Sequence, residues 1–421
     1  MSAAKRAAAL VVLLLALVAG CGTMEPTTTP VPATPTSAAL APTATPVPPT
    51  ETPVPPSDTP IPPTDTPPAL TAEPSPTAST RTLQEAVEEL AAVLEALAAQ
   101  DEFSGAVLIA QGELPLFEGA YGLADRSSET PNQVDTKFNL GSMNKMFTAV
   151  AILQLAEQGE LTLDDRIVDH LPDYADQEAA SQVTIHHLLM HTSGMGNVFT
   201  DEYEQMPKDQ LKTPADWLPL FIDAGLQFEP GSQFSYSNAG YVVLGLIVER
   251  VSGESYYDYV REHVYGPSGM QDSDSYDRDA HVPNLAIGYT TLGDDGVELE
   301  EPVSNTDRLP GKGFPAGGGY STVGDLFRFR TALLNHELLG PDSTALLLAG
   351  KIELREGLRY AYGFFDRTVG DQRVVGHSGG FPGICSFLDM YVDLDVTVIV
   401  LSNTDRGCMA VLDFFQGQPL E

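Results

Sequence analysis

The sequence predicts an α+β fold, with strand-like runs at both ends of its ordered part and helix-like runs between them. Residues 105–110 (Gly-Ala-Val-Leu-Ile-Ala) form an apolar run of strand length, and residues 117–121 follow across a Gly-containing turn as its partner. Residues 362–365, 374–377, 386–392 and 396–401 repeat that pattern near the C-terminus. Between the two groups, residues 146–155 and 241–251 place apolar side chains at helical spacing.

Taken in order, the chain opens with Lys5, Arg6 and an apolar run over residues 7–20. That run is too short to span a bilayer comfortably and reads as a secretory signal. It ends Leu17-Val18-Ala19-Gly20-Cys21, which resembles the bacterial lipoprotein signal, in which Cys21 is lipidated and becomes the new N-terminus. An exported protein is therefore expected, held at the cell surface or periplasmic membrane through Cys21. Residues 22–81 are rich in Thr, Pro, Ala and Ser and have no aromatic residue, so no core can form there. Proline keeps such a segment extended, and it reads as a disordered stalk.

Over its 421 residues the chain carries a formal net charge of −36. This excludes nucleic acid as a partner, since that needs a basic surface, and it excludes a polybasic membrane patch. The hydrophobic fraction of 43% is enough to fill a core. Order is expected over residues 82–421. Thr82 and Glu85 make a capping-box pattern, and Leu83, Val87, Leu90, Leu94 and Leu97 follow at helical spacing.

The stretch Phe138-Asn139-Leu140-Gly141-Ser142-Met143-Asn144-Lys145 organises the rest. Ser142 and Lys145 stand three residues apart at the head of the apolar run 146–155, which has no proline or glycine. On a helix they share one face about a turn apart. A serine hydroxyl needs a base to become a nucleophile, and a lysine serves only if its surroundings lower its pKa. The plainer reading is a surface serine and lysine on an ordinary helix. Among seven lysines the other Ser-x-x-Lys match, Ser2 with Lys5, falls in the signal.

His187 and His191 have the spacing of two zinc ligands on a helix, but Leu188 stands where a zinc protease needs glutamate, and a structural helix ending near Gly194 is expected. Asp272, Asp274, Asp277 and Asp279 suggest calcium until Tyr276 and Asp277 break the EF-hand pattern; a solvated acidic loop is expected. Phe228-Glu229-Pro230-Gly231 is a turn before Tyr236 and Asn238, which either point into one cleft or serve as a packed ring and a helix cap. Gly317-Gly318-Gly319 lets backbone approach a ligand or another segment. Gly376-His377-Ser378-Gly379-Gly380 matches a nucleophile elbow. No histidine follows His377 in the chain, so an α/β-hydrolase acting through Ser378 lacks its base. Cys385 and Cys408 fit either a disulfide, which export permits, or two buried thiols. No cysteine metal site is present, and no metal or other cofactor is expected.

Ser142-x-x-Lys145, Tyr236-x-Asn238 and His377-x-Gly379 occur in the order seen in the serine β-lactamase and penicillin-binding superfamily. The chain looks most like the branch of class C β-lactamases, D-alanyl-D-alanine carboxypeptidases, D-aminopeptidases and lactamase-fold esterases. Thr136-Lys137-Phe138, Leu188-Leu189-Met190-His191-Thr192-Ser193-Gly194, Pro267-Ser268-Gly269-Met270 and Gly317-Gly318-Gly319-Tyr320-Ser321-Thr322 extend the resemblance over residues 105–403.

The resemblance implies an antiparallel sheet from both ends of the domain (82–140 and 320–421), flanked by terminal helices, with a mostly helical region inserted over 141–319. It implies that Ser142 attacks a carbonyl and that Lys145 and Tyr236 share proton transfer. Asn238 would orient Lys145 and touch substrate, and His377, Gly379 and Gly380 would line the substrate site. The N–H groups of Ser142 and Gly380 would form an oxyanion hole. A tyrosine beside a lysine cation is expected to have a lowered pKa. β-Lactamases usually carry lysine where His377 stands; a neutral imidazole holds a substrate carboxylate less well. The expected activity is therefore hydrolysis of D-amino-acid peptides, amides or esters, with β-lactamase activity weaker. A non-catalytic binding or penicillin-sensing module is the alternative.

Overall fold

The computed structural model describes residues 82–293 and 296–417. The signal, Cys21 and the stalk lie outside the described residues.

The first helix, α1 (Leu83–Ala99), starts at Thr82 with the expected capping box. Strands β1 (Gly105–Gln111) and β2 (Leu114–Tyr121) form a hairpin. Helix α2 (Asn144–Glu157) follows a 3-10 turn over Gly141–Met143, and α3 (Ile185–Leu189) and α4 (Asn238–Ser252) lie in the region after it. Helices α5 (Val323–Leu334) and α6 (Pro341–Leu348) lead back to the sheet. Strands β3 (Ile352–Arg355), β4 (Leu358–Tyr360), β5 (Phe365–Val369), β6 (Gln372–Phe381), β7 (Ile384–Tyr391) and β8 (Val396–Ser402) precede α7 (Met409–Gly417).

The eight strands form one antiparallel sheet in the order β2-β1-β8-β7-β6-β5-β4-β3. Both ends of the domain are thus joined at the β1–β8 pair, with Gly105 opposite Ser402. Alternate residues feed two cores, as the two-residue period of a strand requires. Val107, Ile109, Cys385, Phe387, Val398 and Val400 pack with α1 and α7. Ala106, Leu108, Leu388, Ile399 and Leu401 pack with the helical region. Every residue of β7 and β8 is buried, which is why these strands read as continuous apolar runs. Helix α2 is buried from Asn144 to Leu155, as a helix that is apolar all round must be.

Several bounds differ from expectation. Residues 362–364 are a bend, and β5 begins at Phe365. Gly363 takes φ +70, and a Cβ there would stand 2.6 Å from the Lys145 carbonyl oxygen, so the chain turns against α2 before it can join the sheet. Helix α3 ends at Leu189 rather than near Gly194, because His191 adopts a left-handed φ of 56°. The acidic loop is paired rather than merely solvated: Asp272 with Lys137, Asp274 with Arg261, Asp277 with Lys212 and Asp279 with Arg278.

Cys385 and Cys408 form a disulfide, with Cα atoms 5.3 Å apart. It ties β7 to the segment entering α7. The bridge spans 23 residues of sequence, and loop closure on that scale is worth about 3 kcal/mol. Reduction of the otherwise intact protein is therefore expected to lower its unfolding free energy by about that amount in urea titrations; an unchanged midpoint would contradict a closed bridge.

Candidate active site

Ser142 sits on the tight turn that opens α2. Gly141 takes φ +51, and a Cβ there would stand 2.8 Å from the Gly380 nitrogen, so this turn lies directly against β6. Lys145, one turn on, is 0% exposed. Its Nζ is 3.3 Å from Ser142 Oγ, and it donates to Asn238 Oδ1 at 2.7 Å and to the Ala316 carbonyl at 2.6 Å. Burial pushes the amine well below its usual pKa, because the charged form is the one that loses water.

Each of these partners is itself held. The Val198 N–H donates to Asn197 Oδ1 at 2.8 Å, and Asn238 Nδ2 donates to the same oxygen at 3.0 Å. That fixes the Asn238 amide with its oxygen toward Lys145. The cap of α4 is Ser237, whose hydroxyl accepts from the Gly240 N–H, so Asn238 is not used as a cap. The segment carrying Ala316 is tied to α2 by Thr148, which donates to the Pro315 carbonyl at 2.7 Å, and by the Gly319 N–H, which donates to Asn144 Oδ1 at 3.1 Å. The glycine trio serves this close approach: Cβ atoms on Gly317 and Gly319 would stand 3.1 Å from the Gly141 oxygen and 2.8 Å from the Asn144 side chain.

The Tyr236 hydroxyl faces Ser142, and the Lys145 nitrogen lies 4.8 Å from the centre of the Tyr236 ring. Desolvation raises the Tyr236 pKa, and the nearby Ser142 hydroxyl offsets this only in part. This corrects the expected lowering: the lysine beside it is itself driven toward the neutral form, so the ring lacks the cation that would favour a phenolate.

The third motif divides between the cleft and the interior. His377 is buried; its Nδ1 is 2.6 Å from the Ser378 carbonyl and its Nε2 is 3.4 Å from the Tyr360 hydroxyl. A Cβ on Gly379 would stand 1.8 Å from the Leu140 oxygen and 2.6 Å from Ser386 Oγ, so this glycine admits the segment leading to Ser142. Ser386 donates to that same Leu140 oxygen at 3.0 Å. Gly380 lines the cleft with Ser142. Ser378 lies on the other face of the sheet beside Arg367, Asp389, Cys408 and Leu412, away from Ser142.

The cleft has a volume of about 480 Å³ including its open mouth. Ser142, Asn139, Asn238 and Gly380 line it together with the aromatic residues Phe199, Tyr203, Trp217, Phe314 and Phe381. Trp217 stacks on Phe314 with ring centres 3.8 Å apart. Among the described residues, no charged side chain lines it. His187 and His191 do not form a helical ligand pair: His187 Nδ1 accepts from the Thr184 N–H, whereas His191 lies beyond the end of α3 among aromatic rings. Sequence reasoning gave no role to Asn197, Ala316, Tyr360 or Ser386. His191 stood inside a stretch of the resemblance, and the other four had no local signal, since their partners lie far off in the chain.

A serine on a helix-opening turn, a buried amine beside it and a two-faced antiparallel sheet define a serine acyl-transfer fold of the β-lactamase and transpeptidase type. The Beta-lactamase family model matches residues 87–414, and the chain belongs to that family. It is 31% identical over 334 residues to a penicillin-binding protein of Bacillus subtilis (strain 168), covering 76% of this chain and 72% of that one. The structure of a penicillin-binding protein from Bacillus halodurans superposes with a TM-score of 0.69 at 34% identity, over 76% of this chain and 99% of that one. The D-amino acid amidase of Ochrobactrum anthropi SV3 shares the fold, with a TM-score of 0.67 at 23% identity, over 79% and 97% of the two chains.

Burial pulls the His377 pKa from 6.5 down to about 3. A histidine held neutral in the fold contributes stability that is complete above pH 6.5 and is lost as pH falls toward 3. The stability gap between the parent and His377→Gln is expected to narrow across that window in urea titrations. A gap that stays constant from pH 7 to pH 4 would contradict the buried, neutral imidazole.

Proposed function

We propose that this protein hydrolyses amide or ester bonds through an acyl-enzyme on Ser142, acting on substrates that carry no carboxylate near the scissile bond. D-amino-acid amides, short D-amino-acid peptides and esters with an apolar acyl group fit best. The observation that carries this reading is the buried Lys145 amine, 3.3 Å from the Ser142 hydroxyl and bonded otherwise to two oxygen acceptors.

The chemistry follows from the inventory of protons. A neutral amine has two N–H donors and one lone pair. Asn238 and Ala316 take the donors, and the lone pair is left for the Ser142 proton. Lys145 then acts as the base as Ser142 Oγ attacks the carbonyl. Tyr236, kept as a neutral phenol, donates its proton to the leaving amine or alcohol and recovers it from the Lys145 ammonium. The N–H of Ser142 belongs to a first helical turn and has no acceptor within the helix. With the N–H of Gly380 it would hold the developing oxyanion, each such donor being worth about 3 kcal/mol of barrier. Water then attacks the acyl-enzyme with Lys145 and Tyr236 in the same roles.

The uncharged aromatic cleft supports an apolar acyl group. A carboxylate entering it would lose hydration without gaining a cation, which weighs against efficient β-lactamase action and against a carboxypeptidase that anchors a free C-terminus there. The penicillin-binding and amidase relatives are in keeping with amide chemistry. Export and a lipid anchor at Cys21, with residues 22–81 as a stalk, are proposed on the sequence alone; the disulfide suits an oxidising compartment.

Ser142→Ala is expected to lower turnover of a neutral aromatic ester by at least roughly 10³-fold while leaving the melting temperature in place. Equal hydrolysis by parent and variant would favour the non-catalytic binding module. Across matched esters and amides, kcat/KM is expected to be about tenfold higher for neutral than for carboxylate-bearing acyl groups. A preference for the carboxylates would overturn the substrate class and leave the hydrolase reading intact.

A further inference from the structure

His191 is buried and held in a left-handed conformation, which is uncommon outside glycine and marks a position determined by its surroundings. Its carbonyl accepts from the Ser235 N–H at 2.8 Å. Its ring packs 4.2 Å from the Tyr236 ring, at 35°, and 5.1 Å from Tyr241. Its two nitrogens face different segments, and the chemistry of those partners determines where each proton sits.

The Ser237 N–H donates to His191 Nδ1 at 3.0 Å. That nitrogen is therefore bare, and in the neutral ring the proton is on Nε2. Nε2 lies 3.0 Å from the Tyr360 hydroxyl and donates to it. The same hydroxyl lies 3.4 Å from His377 Nε2. The other His377 nitrogen faces the Ser378 carbonyl at 2.6 Å, and a carbonyl only accepts, so Nδ1 carries that proton and Nε2 is bare. Tyr360 thus has a donor on one side and an acceptor on the other. The Tyr241 hydroxyl borders it as well and donates to the Leu189 carbonyl at 3.0 Å, so it brings no competing proton, and its oxygen is a second acceptor beside His377 Nε2. Donation runs from the Ser237 N–H through His191 to the Tyr360 hydroxyl, whose proton faces His377 Nε2 and the Tyr241 oxygen, and from His377 Nδ1 to the Ser378 carbonyl.

We propose that His191 is a positioning residue for Tyr236, and that the Tyr360 hydroxyl couples it to His377 so that the Tyr236-x-Asn238 segment and β6 are held in one register. This rests on the serine hydrolase reading above. Ser237 and Asn238 follow directly on Tyr236, so the bond to His191 Nδ1 fixes the backbone that aims both side chains at Ser142 and Lys145. At the far end the chain uses both nitrogens of His377. The third motif then acts by holding β6, which carries Gly380, against the same unit, and offers no free imidazole N–H to a substrate.

The test uses the full chain labelled with ¹⁵N-histidine. NMR is expected to show the proton of His191 on Nε2 and that of His377 on Nδ1; the opposite tautomers would overturn the proposal. Tyr360→Phe removes only the coupling hydroxyl. It is expected to lower kcat on a neutral ester roughly tenfold with KM within about twofold. His191→Asn keeps an acceptor for Ser237, tolerates a positive φ and loses the reach to Tyr360. The same loss of kcat is expected, and the double variant should lose no more than either single one, since both break one link. Should Tyr360→Phe fail to fold, the kcat of His191→Asn decides alone. Unchanged kcat or additive losses would overturn the positioning role while leaving the hydrolase reading intact. A parent with no turnover would overturn both.

Discussion

The structure depends on a lysine amine that has been taken out of water. An ammonium with no exposed surface is costly to bury even when it is paired; desolvation pulls its pKa down, and among the described residues no carboxylate is bonded to it. Lys145 instead meets three neutral oxygens, from Ser142, Asn238 and Ala316. Each belongs to a different part of the chain, so one side chain sets the mutual position of the α2 turn, the start of α4 and the glycine-rich segment before α5. The cost of burial is also what makes the site: an exposed amine would stay protonated and could not take a proton from serine.

Around that contact the chain relies on backbone brought to very short range. Gly141 meets Gly380, Gly379 meets Leu140, and Gly363 meets the carbonyl of Lys145 itself. A side chain at any of these positions would push apart the sheet and the head of α2. The two cores explain how such tolerances are held. The sheet is packed on both faces, by α1 and α7 on one side and by the helical region on the other, so β6 has little freedom to move away from Ser142. The disulfide adds a covalent tie on the outer face.

Much of this was legible in the sequence. Ser142, Lys145, Tyr236 and Asn238 converge as their order and the resemblance implied. The inner strands and α1, α2 and α4 declare themselves by apolar spacing and caps. Strands β3 and β4, the last two at one margin of the sheet, did not, because Ile352–Tyr360 mixes charged and apolar residues. Local pattern was equally silent about proton inventory. His377 looked like a substrate contact from its place in a motif, but both its nitrogens face protein atoms supplied by Tyr360 and Ser378. Tyr236 looked like a phenol with a lowered pKa until the neutralising effect of burial on Lys145 was known. Such properties arise from groups far apart in sequence and appear only when the chain has closed.

The most direct test of the neutral-lysine account is the pH dependence of covalent labelling of Ser142 by a fluorophosphonate, followed by peptide mass spectrometry. A small electrophile reads the nucleophile itself, without the demands of substrate binding. The account predicts an adduct on Ser142 whose rate of formation reaches its plateau well below pH 10.5, the ordinary lysine value, and which is lost in Lys145→Ala. A labelling rate that only begins to climb near pH 10.5, or an adduct on Ser142 that forms as fast without Lys145, would contradict it.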